Sequence, residues 1–286
     1  MEVIRTVKEM QERAESLRRS GQTIAFVPTM GYFHEGHLNL MREGRKRGDY
    51  LVVSIYVNPT QFGPHEDLDR YPRDFERDHK LAESVGVDAI FYPADEEMYP
   101  SGYQTYVTVE QVTQNLCGLS RPGHFRGVAT VCCKLFHIVK PHFAIFGRKD
   151  FQQLVVINQM VRDLNIDLQV VPMPTTREAD GLAMSSRNVY LSPEERESAL
   201  SLSRSLKMAE QMYEAGERKV EKITKQVENF IQSHPFTKID YVKICDVNTM
   251  MDIEGEIDKP AVMALAVFVG KTRLIDSHVL GEAIAF

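Results

Sequence analysis

Two histidines stand three residues apart in "FVPTMGYFHEGHLNLM", which covers residues 26–41. An apolar run ends there in a Pro-Thr-Met-Gly turn, and the pattern that follows is typical of a helix. His34 and His37 therefore share a face at the predicted helix start, where unpaired amides and the helix dipole favour anions. Gly36 leaves that surface without a side chain, so a flat ring can approach the backbone. We interpret the pair as part of a binding site for a nucleotide phosphate chain.

Simpler interpretations of the pair exist. A lone histidine is more often a surface residue or a satisfied core residue than a ligand. A protease-type zinc motif needs histidines four apart, and "HEGH" is one residue short of that spacing. The strand, the tight turn and a second motif further along the chain favour phosphate binding.

That second motif, "FGRKDFQQL", places Lys149 just after another apolar run, which ends at Gly147. A flexible ammonium suits phosphate oxygens that gain charge during group transfer. The commoner fate of such a lysine is an ordinary solvated pair with an acid such as Asp150. Gln153 falls one helical turn further on, where the alternative to ligand binding is a polar cap on the sheet edge.

A hydroxyl-rich loop, "ADGLAMSSRN", offers further donors to an anion. Ser185, Ser186 and the adjacent amides can donate to phosphate oxygens, and Arg187 adds a planar, permanently charged fork. The alternative is an interdomain turn with an N-cap serine. Together with the histidine pair, the loop favours phosphate binding.

The turn-rich loop "NPTQFGPHEDLDRYP" follows the apolar strand "VVSIYV". Gln61 can both donate and accept hydrogen bonds, which suits a ligand with hydroxyl, amide and carboxylate groups. Asn58 is its expected neighbour, although asparagine before proline is equally a turn former. Acidic residues here can help to hold Mg²⁺ on a triphosphate, because hard cations prefer carboxylate oxygens, but most should face water. These acidic residues are Glu66, Asp67, Asp69, Asp74, Glu76 and Asp78.

Short β-rich runs alternate with helical stretches through the first part of the chain. An amphipathic helix closed by Gly21 comes first, and the predicted strands are "TIAFVPT", "YLVVSIYVNP", "VDAIFYPA", "HFAIFG" and "DLQVVPMP". This alternation predicts an α/β protein with a Rossmann-like, doubly wound parallel sheet. Such a sheet binds ligands at the carboxyl ends of its strands, where the histidine pair and Lys149 both lie.

The pattern changes after Pro174. Ser192, Pro193 and Glu195 match the N-cap, first position and capping box of a helix that ends at Gly216. A second helix and three strands, "IDYVKICD", "AVMALAVFVG" and "TRLIDSHVL", predict a smaller α+β domain with a short antiparallel sheet. We therefore expect a nucleotide-binding domain over residues 1–175 and a C-terminal lid domain over residues 176–286, closing by a hinge near 175.

Composition narrows the class of protein. The chain has 286 residues, of which 43% are hydrophobic, and its 34 basic and 40 acidic residues give a net charge of −6. The absence of a basic stripe predicts no nucleic-acid partner, and the absence of a long apolar segment predicts no membrane span. The four cysteines have no CxxC spacing, so reduced thiols are expected. We predict a cytoplasmic protein.

At this point the motifs resemble a known family. "HEGH" after a "PTMG" turn is similar to the HxGH signature of the nucleotidyltransferase superfamily. The ordered set "PTMGYFHEGHLNLM", "VSIYVNPTQFGPHEDLDRYPR", "RPGHFRGVATV", "FGRKDFQQL" and "READGLAMSSRNVYLS" resembles the pantothenate synthetase family from end to end. The resemblance implies condensation of pantoate with β-alanine, driven by ATP with Mg²⁺ through a pantoyl-adenylate, in a homodimer.

The same resemblance implies roles for individual residues. It makes His34, His37, Lys149 and Arg187 catalytic. We expect His37 to donate a proton or hydrogen bond to the transferring phosphate, a role that a pKa near neutrality would suit. The resemblance assigns ATP to Met30, Gly31, His34, Gly36, His37, Gly147, Arg148, Lys149, Asp150, Thr176, Met184, Ser185, Ser186 and Arg187.

Three further residues bind the smaller substrates in this interpretation. Gln153 contacts pantoate, Gln61 contacts pantoate and β-alanine, and Asn58 lies beside Gln61. Asp78 matches the acidic position near the metal. The family usually has Glu at position 148 and Val at 176, so only backbone contacts are expected from Arg148 and Thr176.

Additional residues carry weaker expectations. His124, Arg121 and Arg126, in "RPGHFRG", are expected beside the substrates, and no catalytic role is expected for Cys132 or Cys133. One alternative function is a nucleotidyltransferase that moves AMP onto a phosphate-bearing acceptor. Another is a nucleotide sensor without catalysis, which would not need transition-state donors.

Overall fold

A parallel sheet forms the first part of the molecule. The structure, a computed structural model, describes residues 1–64 and 66–281. The strands of this sheet are β1 (Glu2–Ile4), β2 (Ile24–Thr29), β3 (Tyr50–Ile55), β4 (Ala89–Phe91), β5 (Phe143–Gly147) and β6 (Gln169–Met173). Their order is β1-β4-β3-β2-β5-β6, and each neighbouring pair is parallel. Near-continuous apolar strands such as these fit a sheet that is covered on both faces.

Helices cover both faces of this sheet. They are α1 (Val7–Arg19), α2 (Glu35–Arg47), α3 (Phe75–Ser84), α4 (Asp95–Met98), α5 (Leu116–Ser120), α6 (His124–Val139) and α7 (Phe151–Asp163). Helices α1, α6 and α7 bury their apolar faces in one core cluster, while α2 and α3 pack in another. The predicted doubly wound α/β fold is confirmed.

The strand order reverses between β2 and β5, which makes these two strands the topological switch point. In open α/β sheets, ligands bind in the crevice outside the carboxyl ends of the strands at such a point. The Pro-Thr-Met-Gly turn leaves β2 there, and the turn that contains Lys149 leaves β5 beside it. The topology therefore brings together two motifs that lie more than a hundred residues apart in the sequence.

The remaining segment forms a smaller α+β unit, as predicted. It contains α8 (Pro193–Glu214), α9 (Val220–Gln232) and an antiparallel sheet of β7 (Thr237–Asp246), β8 (Ala261–Val269) and β9 (Thr272–Leu280). The predicted capping box of α8 is present, with Ser192 and Glu195 each accepting the other's amide. Residues 282–286 of the predicted second domain lie outside the described part of the chain.

Several features differ from the sequence prediction, among them helices α4 and α5, which were not predicted. Strand β1 was not predicted, because its three residues carry no periodic signal and gain their hydrogen bonds only by pairing with β4. Helix α6 begins at His124, inside the stretch expected to be a loop. Gly123 makes this early start possible because it takes up a left-handed φ of 84° at the N-cap.

The small sheet also packs against the first unit. The core cluster of α1, α6 and α7 continues into residues of β7, β8 and the turn between them: Cys245, Val247, Met250, Val262 and Ala264. Helices α8 and α9 enclose a separate cluster with the other face of the sheet. The two parts of the chain thus share a buried apolar contact.

Candidate active site

A cavity of about 240 Å³ opens at the switch point. Its walls come from the ends of β2 and β5, the start of α2, the turn after β3, helix α6 and the loop before α8. Most of the residues predicted from the sequence line it: Met30, His34, Gly36, His37, Asn58, Gln61, Gly147, Lys149, Asp150, Gln153, Thr176, Met184, Ser185, Ser186 and Arg187. Gly31, Asp78 and Arg148 do not line this cavity.

The two histidines cap the helix that carries them. His34 is the N-cap of α2, and its Nδ1 accepts the Gly36 amide at 3.1 Å. His37 reaches back, so that its Nδ1 accepts the His34 amide at 3.3 Å. The rings stack with centroids 4.0 Å apart and an interplanar angle of 28°. A capping box usually uses Ser or Thr with Glu or Gln, and here imidazoles perform both tasks.

These hydrogen bonds define the tautomer of each ring. A ring nitrogen that accepts an amide N–H carries no proton, so the proton of a neutral imidazole must sit on Nε2. Both rings can therefore act as neutral N–H donors through Nε2. The helix start differs from the expectation of unpaired amides, because the His34 and Gly36 amides are already bonded to imidazole.

Burial and charge keep both rings neutral. Burial, with a contribution from the Lys149 ammonium, lowers the pKa of His34 from 6.5 to about 4. Burial, His34 and Lys149 together hold the pKa of His37 well below its ordinary value. The expectation of a pKa near neutrality for His37 is therefore wrong: burial removes the hydration that an imidazolium needs.

We predict that His34 stays unprotonated above about pH 5. Because its pKa is lower in the folded state, the unfolded chain binds protons first as the pH falls. This group therefore lowers stability progressively between pH 6.5 and about 4, and has no effect on stability above that window. Side-chain ¹H–¹⁵N spectra should show the Nε2–H tautomer for His34 and His37 at pH 7. A His34 midpoint near 6.5 would contradict the prediction.

Gly36 is required by the protein itself. A Cβ at position 36 would lie 2.8 Å from both Cε1 and Nδ1 of His34. The glycine therefore provides space for the capping ring, whereas the sequence suggested that it provides space for a ligand. The "HxGH" spacing follows from this contact, because the N-cap ring folds over the residue two positions later.

Lys149 projects into the cavity from the turn after β5. Within the described residues its ammonium makes no hydrogen bond or ion pair, and it also borders a small adjacent cavity with Gln153. The alternative interpretation, a solvated pair of Lys149 with Asp150, is not observed. Strand β9 supports this turn, because the Ser277 hydroxyl lies 3.1 Å from the Arg148 carbonyl oxygen and 3.3 Å from that of Lys149.

Arg187 is held by a carboxylate. Its Nε and Nη2 both donate to Asp67 at 2.8 Å, and its guanidinium lies over the Tyr71 ring at 5.6 Å. Burial by itself would raise the pKa of Asp67, but the ion pair with Arg187 outweighs it and lowers that pKa. Arg187 lines the cavity, but its partner Asp67 could not be identified from the sequence.

The rest of the "ADGLAMSSRN" loop is tied to the first unit. The Ser186 hydroxyl donates to the Tyr32 carbonyl at 3.3 Å, and Ser185 caps the short helix Ser186–Tyr190 by accepting the Arg187 amide. The Met184 amide donates to the Thr176 carbonyl at 3.0 Å. The Thr176 hydroxyl accepts from Asn39, a residue of the histidine motif to which the sequence analysis assigned no role.

The loop "RPGHFRG" divides between two environments. His124 contacts the Gln61 carbonyl at 2.9 Å through Nδ1, and Arg121 donates to Glu66 through two bonds of 2.6 Å. Burial lowers the pKa of His124 to about 3. Arg126 lies over the Tyr106 ring at 3.6 Å instead, away from the cavity. Two of the three expected residues therefore support the Gln61 loop.

Asp78 has a structural role in this conformation. It is 1% exposed, and its two carboxylate oxygens accept the Tyr32 amide at 2.6 Å and the Phe33 amide at 2.7 Å. Gly31 and Tyr32 have positive φ values of 83° and 52°, so consecutive amides point at this anion. Asp78 borders a cavity on the other side of the turn, which does not support the magnesium role expected for it.

The described residues contain no cluster of three or more His, Cys, Asp or Glu side chains that could hold a metal ion. Arg148 lies in a pocket between β9 and α8, away from the histidines. All four cysteines are free thiols, as expected. In residues 1–64 and 66–281, none of the helices is sufficiently long and apolar to traverse a bilayer.

The fold and the cavity together define a class of protein, an α/β protein with a ligand site at its sheet switch point. The family model for pantoate-beta-alanine ligase matches residues 2–279. The chain belongs to the pantoate-beta-alanine ligase family.

Relatives and solved structures agree with this. The chain is 69% identical to pantothenate synthetase of Syntrophus aciditrophicus, over 99% of this chain and 98% of the relative. A crystal structure of pantothenate synthetase from Thermus thermophilus matches with a TM-score of 0.92 at 44% identity, over 97% of this chain and 99% of that one. A crystal structure of the pantoate-beta-alanine ligase of Francisella tularensis, complexed with beta-gamma ATP and beta-alanine, matches with a TM-score of 0.81 at 32% identity. The match covers 98% of this chain and 97% of that one.

Proposed function

We propose that this protein condenses pantoate with β-alanine at the expense of ATP, which gives pantothenate, AMP and pyrophosphate. The observation that carries the proposal is one cavity that holds two stacked neutral imidazoles, a lysine and two glutamines. The imidazoles and the lysine suit phosphate oxygens, and the two glutamines suit a small polar acid. Family membership supports the same reaction.

The first half-reaction is the attack of a pantoate carboxylate oxygen on the α-phosphorus of ATP. A P–O bond forms, pyrophosphate leaves with the electrons of the broken P–O bond, and the product is pantoyl-adenylate. The carboxylate is ionised at neutral pH and needs no general base. Catalysis therefore consists of alignment and stabilisation of charge on the phosphoryl oxygens.

We assign that stabilisation to His34, His37, Lys149 and Arg187. The neutral imidazoles donate through Nε2, so they contribute hydrogen bonds and not positive charge. Lys149 supplies the charge, since its ammonium makes no ion pair with the described residues. Arg187 can join through its remaining N–H groups, because Asp67 occupies two of its five donors in the conformation described here.

The second half-reaction is the attack of the β-alanine amine on the acyl carbon. A C–N bond forms, AMP departs with the electrons of the acyl C–O bond, and the amine loses a proton. His34 and His37 cannot accept that proton at Nδ1 without breaking the cap of α2. Asp78 is likewise committed to backbone amides, so we assign no base among these three residues.

Magnesium enters the proposal as part of the substrate, the complex of Mg²⁺ with ATP. The described residues form no ligand cluster for a resident ion, and the oxygens of Asp78 hold the turn at residues 31–33. In this proposal the protein binds the phosphate chain, and phosphate oxygens and water coordinate the metal ion. We also propose a homodimer in the cytoplasm with no nucleic-acid partner, and a lid function for residues 176–286.

An exchange assay tests the adenylate step. With ATP, Mg²⁺ and pantoate but without β-alanine, labelled pyrophosphate should appear in ATP, because adenylate formation is reversible on the enzyme. Addition of β-alanine should then give pantothenate and AMP in equal amounts. No exchange would remove the adenylate step, and a stable dinucleotide product would favour AMP transfer to a phosphate-bearing acceptor. ATP binding without pyrophosphate exchange and without any product would favour a nucleotide sensor.

A further inference from the structure

The amide of Asn58 is buried and fixed in one orientation. The residue follows β3 and is 1% exposed. Its Nδ2 donates to the Gly127 carbonyl at 3.2 Å, and that oxygen can only accept. Its Oδ1 accepts the Thr60 amide at 3.3 Å, and that group can only donate. Because one partner is solely an acceptor and the other solely a donor, a flipped amide would lose both hydrogen bonds.

The orientation of Asn58 in turn determines the orientation of Gln61. The second proton of Asn58 Nδ2 points at Gln61 Oε1, which lies 3.1 Å away. Gln61 Oε1 is therefore an acceptor inside the protein, and the Nε2 group faces the cavity, 3.3 Å from the Met30 sulfur. The sequence left Gln61 free to donate or accept. In the structure its Nε2 group is the part that it offers to a ligand, as a hydrogen-bond donor.

Tyr99 completes the chain of hydrogen bonds. Its hydroxyl donates to Asn58 Oδ1 at 2.9 Å, as does the Thr60 hydroxyl. The Tyr99 ring makes an edge-to-face contact with the Tyr103 ring, with ring centroids 4.9 Å apart and an interplanar angle of 89°. Burial raises the pKa of Tyr99 to about 12, so the phenol keeps its proton at neutral pH.

We propose that Tyr99 is a positioning residue for the acid substrate: its hydroxyl is a third donor to Asn58 Oδ1, beside the amide and hydroxyl of Thr60, and it helps to hold in place the amide that makes Gln61 a hydrogen-bond donor to the ligand. The site then selects an acid that presents oxygen acceptors, a carboxylate or a hydroxyl oxygen, at Gln61. Asn58 acts through Gln61 in this arrangement and does not bind the substrate directly. The inference rests on the proposed function for the identity of the acid, pantoate.

Removal of the Tyr99 hydroxyl tests the inference. Tyr99→Phe should raise the KM for pantoate about fivefold to tenfold, the effect of one neutral hydrogen bond, with the KM for ATP changed less than about twofold. Tyr103→Phe is the matched control, since its ring contacts Tyr99 but its hydroxyl makes no bond to Asn58. It should leave both constants unchanged. An unchanged pantoate KM in Tyr99→Phe would overturn the proposal.

A double-mutant cycle separates positioning from general support of the fold. If Tyr99 acts through Gln61, Tyr99→Phe should have almost no further effect on the pantoate KM in a Gln61→Ala background. Equal effects in both backgrounds would show that Tyr99 acts by another route. Pantothenate formation by the wild-type chain is measured alongside. Absence of pantothenate formation would refute the proposed function. Normal pantothenate formation, with additive effects of Tyr99→Phe and Gln61→Ala on the pantoate KM, would refute only the role of Tyr99.

Discussion

Replacement of His37 by alanine should slow pyrophosphate exchange into ATP at least about a hundredfold, while ATP still binds. The variant removes a neutral Nε2–H donor from the cavity and also the acceptor that caps the His34 amide. The loss falls on the chemical step because hydrogen bonds to a phosphoryl group strengthen as charge builds on its oxygens. Exchange rates at saturating ATP and pantoate, with ATP affinity by calorimetry, measure the two quantities separately.

A second variant separates the donor from the cap. Glutamate at the third helical position can also accept the N-cap amide, so His37→Glu keeps the cap of α2 and loses the donor. It should be at least as slow as His37→Ala, because its carboxylate also repels the phosphate chain. The control is His137→Ala, on the exposed side of α6, which should exchange at the wild-type rate. Full activity of His37→Ala would show that the histidine pair serves only the fold.

Replacement of Gly127 by alanine should abolish saturation by pantoate. A Cβ at this position in α6 would lie 2.4 Å from the Thr60 carbonyl oxygen and 2.6 Å from both the backbone N and Cα of Gln61. Backbone atoms cannot move aside as a side chain can, so the turn that carries Gln61 must shift out of the cavity. We expect the pantoate KM to rise at least about a hundredfold, because even a misplacement of about 1 Å can cost that much.

Gly44→Ala provides the matched control. Gly44 also lies in a helix, and the closest atom that its added Cβ would meet is the end of the Leu51 side chain, at 2.7 Å from Cδ1. Overpacking there should cost about 1–3 kcal/mol of stability and leave the pantoate KM near the wild-type value. Thermal melts of both variants report the stability cost. A Gly127→Ala enzyme with normal pantoate saturation would refute the close packing of α6 on this turn.

The sequence was sufficient for features that depend on local signals. The apolar runs of β2 and β5 and the cap of α8 follow from neighbouring residues, and the strand order then brings the histidine pair and Lys149 together. The site residues that were predicted lie on motifs that follow strand ends. Their clustering is a property of parallel sheets, so a correct fold class was enough to bring them together.

The partners of these residues could not be predicted, because they are distant in sequence. Asp78 binds an amide 46 residues away, and Arg187 pairs with a carboxylate 120 residues away. The tautomers of His34 and His37 also depend on which ring nitrogen reaches an amide, which spacing alone leaves open. Tyr99 was missed for a related reason: it lies in an irregular segment and reaches Gln61 only through Asn58.

The support that β9 gives to the Lys149 turn has a mechanical consequence. Ser277 is shared between two carbonyl oxygens of that turn, so its hydroxyl links the small sheet directly to the lysine turn. A rotation of residues 176–286 about the Thr176 region would either carry the ammonium with it or break this link. In the first case, opening of the cleft would also withdraw the ammonium from the phosphate chain.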